Sequence, residues 1–259
     1  AGTSTIYFAS SGLTFTPGTN VTYYNISSSG TTTLAGNAVV TNTLSIEGGT
    51  FSTSGSNHTV TTNDFSQSAG TFSANASVVK ISGDFTHSAG TFTAGTSTLV
   101  LNGTSQTITG ATTFYNLSKF ITAADTLTFT HTTTYTIDSG GTARFMGQRE
   151  ALLSIQSSSA GTAFTLTKTG GIVAEYVSLK DSTVSSATSA VASTDVSGNT
   201  NWTFTREFVS KIRGSGGDYT TLSGWESAVQ ADLTVSTTKV FAHGGITGTI
   251  ADNTAVTGA

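Results

Sequence analysis

The sequence predicts an all-β protein, a parallel β-helix or solenoid with coils of about 20 residues, plus one short amphipathic helix near the C-terminus. Three observations lead there. Gly-Thr-Phe recurs at Gly49-Thr50-Phe51, Gly70-Thr71-Phe72 and Gly90-Thr91-Phe92, spaced by 21 and 20 residues. The segments Asp64–Ser73 and Asp84–Thr93 differ only where Ser66 becomes Thr86, Gln67 becomes His87 and Ser73 becomes Thr93. Between the glycines run short alternating pieces such as Val78-Val79-Lys80-Ile81 and Thr98-Leu99-Val100-Leu101, the pattern of half-buried strands, and no helical spacing is sustained there.

In such a stack each strand pairs with its copy one coil away, at about 4.8 Å, so equivalent residues form ladders. The expected interior ladders are Phe51/Phe72/Phe92 and Leu44/Phe65/Phe85. A third is Val60/Ile81/Leu101, nine residues beyond each repeat phenylalanine. The repeat glycines supply the corners, where a left-handed backbone bends one face into the next. One coil buries too little to stand alone.

Taken in order, residues 1–20 hold the alternating stretch Ile6-Tyr7-Phe8, then Leu13 and Phe15, before the single proline Pro17, and read as a terminal strand that caps the solenoid or is donated to a neighbour. Residues 21–205 form the solenoid, clearest up to Thr113-Phe114-Tyr115-Asn116-Leu117 and looser afterwards. Residues 206–222 read as a linker containing Gly214-Ser215-Gly216-Gly217, which lacks the Gly-Lys-Ser/Thr ending of a phosphate loop. In residues 223–259, Ser223-x-x-Glu226 is a capping box, and Trp225, Val229 and Leu233 follow at helical spacing, so a capping helix precedes a Thr/Gly-rich tail or the start of a second module.

Composition narrows the class. Of 259 residues 55 are Thr and 36 Ser, while only 9% are charged, against roughly 25% in ordinary soluble domains. Thr suits a solvated sheet face, and its neutrality avoids stacking like charges in every coil. The net charge of −4 gives no electrostatic basis for binding nucleic acid or an anionic membrane. No apolar run approaches the 18 or so residues that span a bilayer. With Ala1 first and no cysteine, the expectation is an exported protein, extracellular or on the cell surface, whose signal peptide has been removed. Seven Asn-x-Ser/Thr sequons, at Asn20, Asn25, Asn57, Asn75, Asn102, Asn116 and Asn201, are glycosylation acceptors wherever the source cell has the machinery.

Catalytic and metal signals are thin. His58, His87, His131 and His243 occupy inequivalent places and have no acidic or Cys neighbours at metal-ligand spacing, which reads as turn and strand histidines. Asp64 and Asp84 share a column. Either a calcium ion relieves their repulsion or each caps its own turn in water, and the capping reading is preferred. Glu175, Asp181 and Asp195 are the one loose acidic group of the distal half, too sparse for the paired carboxylates of a glycosidase. The expectation is no enzyme, no cofactor and no catalytic residue.

The segments Thr113-Phe114-Tyr115-Asn116-Leu117, Ala174-Glu175-Tyr176-Val177-Ser178-Leu179-Lys180-Asp181-Ser182 and Gly198-Asn199-Thr200-Asn201-Trp202-Thr203-Phe204 resemble repetitive secreted and cell-surface β-helix proteins of prokaryotes. The resemblance implies an extracellular fibre or adhesin. A solenoid exposes unpaired edges at its ends, so function is expected there. The leading expectation is a structural subunit assembling with copies of itself, head-to-tail or by strand donation, through Ile6, Tyr7, Phe8, Leu13 and Phe15 at one end and Trp225, Val229 and Leu233 at the other. Binding of glycans or a host surface along the Thr-rich face, and a polysaccharide-active enzyme, stay open as second and third readings.

Overall fold

The computed structural model describes residues 2–208 and, beyond them, residues 212, 215, 218–221, 223–225, 227 and 238–240. Every pairing between its strands is parallel, as expected where each strand meets its counterpart after a full circuit. Along one face, nine successive pairings link ten coils, from Thr5–Phe8 through Asn25–Ser28 to Val177–Lys180 and Thr194–Ser197.

A second face is a separate five-stranded sheet of Leu13–Phe15, Thr32–Leu34, Thr50–Ser52, Thr71–Ser73 and Thr91–Thr93. It ends there. In later coils that side is formed by Thr113 and Phe114, then Thr134 to Ile137, then Phe164–Lys168, all paired within the main sheet. A third face carries two interior rows. One contains Val60, Val79, Leu99, Leu117 and Ala143; the other contains Ile81, Leu101, Lys119, Phe145 and Ala174.

The phenylalanine ladders form as the repeat predicts. Phe51, Phe72 and Phe92 are in register, as are Leu44, Phe65 and Phe85, and all are buried. Phe51 and Phe72 lie 6.0 Å apart at 9°, Phe65 and Phe85 5.0 Å apart at 6°, and Phe65 meets Phe72 edge-on at 76°. Such aromatic pairs add about 0.5–1.5 kcal/mol each beyond burial.

The third expected ladder is corrected. Val60 pairs with Val79, which pairs in turn with Leu99, whereas Ile81 pairs with Leu101 on one side and with Thr62 of the preceding coil on the other. The corner after Phe51 is two residues longer, with a turn closed by the Asn57 N–H donating to the Ser54 carbonyl, so nine residues from Phe51 end at Val60, two positions short of the Ile81 row at Thr62. Ile81 and Leu101 nevertheless face the interior, at 0% and 1% exposure.

The corner glycines do more than adopt a left-handed backbone. A Cβ on Gly70, whose φ is +63°, would meet the Gly49 carbonyl oxygen at 2.6 Å and the Gly48 carbonyl carbon closer still. Stacked corners therefore pack backbone against backbone, with no room for a side chain between coils. Near the C-terminus, Ser223, Gly224 and Trp225 are helical. Their cap is Thr221, whose Oγ1 accepts the Gly224 N–H at 3.0 Å, two residues before the expected Ser223, because a cap hydroxyl reaches the N–H three residues on. Trp225 is half-buried; Val229 and Leu233 lie outside the described residues. The last solenoid strand, Thr200–Phe208, runs past position 205 and pairs with Thr238–Val240.

Candidate functional site

The end of the stack at the first coil carries Ile6, Tyr7, Phe8, Leu13 and Phe15, the residues expected to assemble. Thr5–Phe8 pairs with Asn25–Ser28 on one side, and among the described residues nothing pairs with its other edge. Leu13–Phe15 likewise has one partner, Thr32–Leu34. Alternation places Ile6 and Phe8 towards the interior and Tyr7 outwards, at 57% exposure, its hydroxyl 2.8 Å from Ser29 Oγ. Phe8, Phe15 and Tyr23 close the cross-section with ring centroids 4.9 and 5.3 Å apart. Ile6, Phe8, Leu13 and Phe15 are all half-buried, where their counterparts in later coils are covered. Beside them an open groove of about 790 Å³ lies between the loop Thr16 to Thr22 and Ala35 to Asn37, with Val21 and Val39 exposed on its rim.

One signal at this end went unread in the sequence. Residues 1–46 contain no Asp, Glu, Lys, Arg or His, and Glu47 is the first charge. Soluble proteins blunt a free strand edge with lysines, prolines or bulges. The edge Thr5–Phe8 carries none of these.

The sequons divide by what their amides do. Asn25 Nδ2 donates to Thr5 Oγ1, Asn75 Nδ2 to Ser52 Oγ, Thr53 Oγ1 and the Ser73 carbonyl, Asn116 Nδ2 to Thr98 Oγ1, and Asn201 Nδ2 to the Val184 carbonyl. These four amides tie one coil to another. Asn20, Asn57 and Asn102 are exposed, and Asn57 uses only its Oδ1, accepting the Ala76 N–H.

The column acids are also spent on holding coils together. Asp64 Oδ1 accepts the Asp84 N–H at 2.8 Å, and Asp84 Oδ1 accepts the Thr107 N–H at 2.7 Å, so each carboxylate caps the coil above and not its own turn. Asp181 is buried and accepts the Gly161 N–H, while Asp195 accepts from Asn199 Nδ2. Among the described residues no group of three His, Cys, Asp or Glu side chains is placed to hold a metal ion. His87 lies against the Gly90 carbonyl of its own corner and against the Ala111 carbonyl and Thr112 Oγ1 of the next coil, and His131 against Ser158 Oγ of the next coil. His243 lies outside the described residues.

A second cluster sits where the five-stranded face ends. Lys119 occupies an interior position between Leu101 and Phe145 and is fully buried. Its Nζ donates to the Gly103 carbonyl at 2.6 Å and to Gln106 Oε1 at 2.9 Å, and lies 2.6 Å from Asp125 Oδ2. Gln106 is held in turn, its Nε2 donating to the carbonyls of Ile81 and Gly83. Asp125 Oδ1 accepts the N–H groups of Ser105 and Thr126, both at 2.7 Å. Burial alone would raise the pKa of this carboxyl, but the hydrogen bond from Lys119 and the two backbone donors outweigh it, leaving the group below its ordinary value. The alternation had marked Lys119: it stands two residues beyond inward Leu117 on the same strand.

No family model, no curated protein and no solved structure matches this chain. No helix among the described residues is long and apolar enough to cross a membrane.

Proposed function

We propose that this chain is a structural subunit of an extracellular filament or surface layer, joined to copies of itself through the ends of the solenoid. The observation that carries the reading is the first coil: a parallel strand edge that is unpaired among the described residues, lined by half-buried Ile6, Phe8, Leu13 and Phe15, in a stretch of 46 residues without a charged side chain. A strand from a second copy laid on that edge gains main-chain hydrogen bonds and covers the aromatic cross-section. A contact between unlike ends does not close on itself and propagates as a fibre. Extracellular localisation follows the same reading, since a neutral Thr-rich exterior without cysteine is indifferent to redox conditions.

The test is a double variant, Thr5→Lys with Tyr7→Lys. Both side chains are exposed, so the coil keeps its interior while the edge acquires the lysines that discourage pairing. The expected result is loss of polymers in negative-stain images with an unchanged far-ultraviolet circular dichroism spectrum. Polymers of unaltered length would remove the first coil from the assembly, and a wild-type chain that scatters light as a monomer at high concentration would remove assembly altogether.

A further inference from the structure

The buried cluster around Lys119 has the geometry of a reaction and not only of an ion pair. We propose that Lys119 and Asp125 condense with each other to form an intramolecular isopeptide bond.

Four features support the reaction. The reacting groups are in contact, with Nζ 2.6 Å from Oδ2, and both side chains are shielded from water at 0% and 5% exposure. Holding two groups in this way makes a slow bimolecular condensation effectively unimolecular. The two oxygens of Asp125 are differentiated. Oδ1 accepts two backbone N–H groups and is positioned to carry the negative charge of a tetrahedral intermediate, as in an oxyanion hole. Oδ2 lies 2.6 Å from Nζ and accepts no other hydrogen bond among the described residues, so it is the oxygen that takes up protons and departs. The amine is differentiated as well. Of the three directions in which the ammonium points, two end on the Gly103 carbonyl and Gln106 Oε1. When the third proton passes to Oδ2, the lone pair left behind faces the carboxyl group.

The balance closes without any further reagent. The ammonium transfers one proton to Oδ2, giving amine and carboxylic acid. The amine nitrogen then forms a bond to Cγ, and the C=O electron pair moves onto Oδ1. Collapse of that intermediate breaks the Cγ–Oδ2 bond as a second nitrogen proton joins the leaving hydroxyl, which departs as water. The amide keeps the remaining N–H. The reaction replaces two buried charges, costly to desolvate, with one neutral amide, and the expelled water leaves a dry interior.

The test is the intact mass of the purified, folded full chain, read by high-resolution mass spectrometry after incubation at neutral pH. The expected mass is below the sequence mass by one water, with Lys119 and Asp125 joined in a branched peptide after digestion. Lys119→Arg, whose guanidinium is not a nucleophile, and Asp125→Ala are expected at their full sequence masses. A wild-type chain at full mass would overturn the proposal and leave the pair as an ion pair alone. A water loss that persists in either variant would overturn it too, because it would place the dehydration elsewhere. The mass of the wild-type chain decides the matter even where a variant folds poorly.

Discussion

The coils up to about residue 105 and those after it share one fold but are stabilised differently. In the first region the interior is repetitive: Phe51, Phe72 and Phe92 stack on one face and Phe65 on Phe85 on another, and the repeat glycines Gly49, Gly70 and Gly90 each sit against the backbone of the preceding coil. In the second region the aromatics come from inequivalent positions, as where Phe129 stacks on Phe164 at 4.5 Å while Tyr135 and Phe145 meet it edge-on. Strands there are longer, up to the 13 residues of Thr134–Met146, while register shifts occur in both regions, at Val40/Thr43 in the first and at Phe114/Asn116 and Thr183/Thr188 in the second. The contrast teaches that a solenoid needs its parallel backbone ladder in every coil, whereas a repeated side chain is one of several ways to fill the interior. Phe114, 5.5 Å from Phe85 and 5.9 Å from Phe92, joins the two regions, and the Lys119 cluster lies just beyond it.

The largest expected effect breaks the repetitive region. Phe72 is fully buried and touches Phe51, Phe65 and Phe92, so Phe72→Ala is expected to cost about 4 kcal/mol, seen as a lower urea midpoint. Next come the corners. Gly70→Ala meets both the left-handed backbone and the carbonyls of Gly48 and Gly49, and is expected to cost about 3 kcal/mol. Gly161→Ala in the second region, with the same sign of φ and open space around it, is expected to cost about 1 kcal/mol. Equal urea midpoints for these two variants would contradict the idea that the repeat corner at Gly70 is limited by the coil beneath.

Smaller effects concern the second region. The hydroxyl of buried Tyr135 donates to the Ile108 carbonyl and accepts the Thr130 N–H, so Tyr135→Phe is expected to cost about 1 kcal/mol. Burial raises the pKa of this phenol above 10.0, so the folded chain holds its proton longer than the unfolded one. Stability from this group is therefore complete below the unfolded value and is lost as pH rises through the folded value, and Tyr135→Phe should lack that alkaline loss in urea titrations. The last effect shows only in acid. While Asp125 remains uncondensed its pKa lies below 3.8, so its contribution is complete above that value and is withdrawn as pH falls through the lower folded one. Urea midpoints taken in acid should show this loss in chains with a free Lys119 and not in chains where the amide has formed.

Much of the fold was readable because identical residues recur at nearly constant intervals. The Phe65/Phe85 register needs only that Asp64–Ser73 and Asp84–Thr93 repeat. The row of Val60 is not legible by counting from Phe51, because a corner can gain residues without changing the character of the strands beside it. The roles of Asp64 and Asp84 were half-legible: a shared column was evident, but which coil each carboxylate caps depends on the path between strands. The candidate site was readable in its apolar half, Ile6, Phe8, Leu13 and Phe15, while the missing charges around it are a negative pattern that a search for motifs passes over.

By itself the sequence determined the period, the parallel stacking and the two phenylalanine ladders, because these depend on local alternation and on equivalence between coils. The tertiary structure alone decided where the five-stranded face stops, which coil each aspartate holds, and that Lys119, Gln106 and Asp125 converge. Those outcomes depend on the length and direction of corners. A difference of one or two residues there leaves the composition unchanged but moves a side chain to another row or another coil.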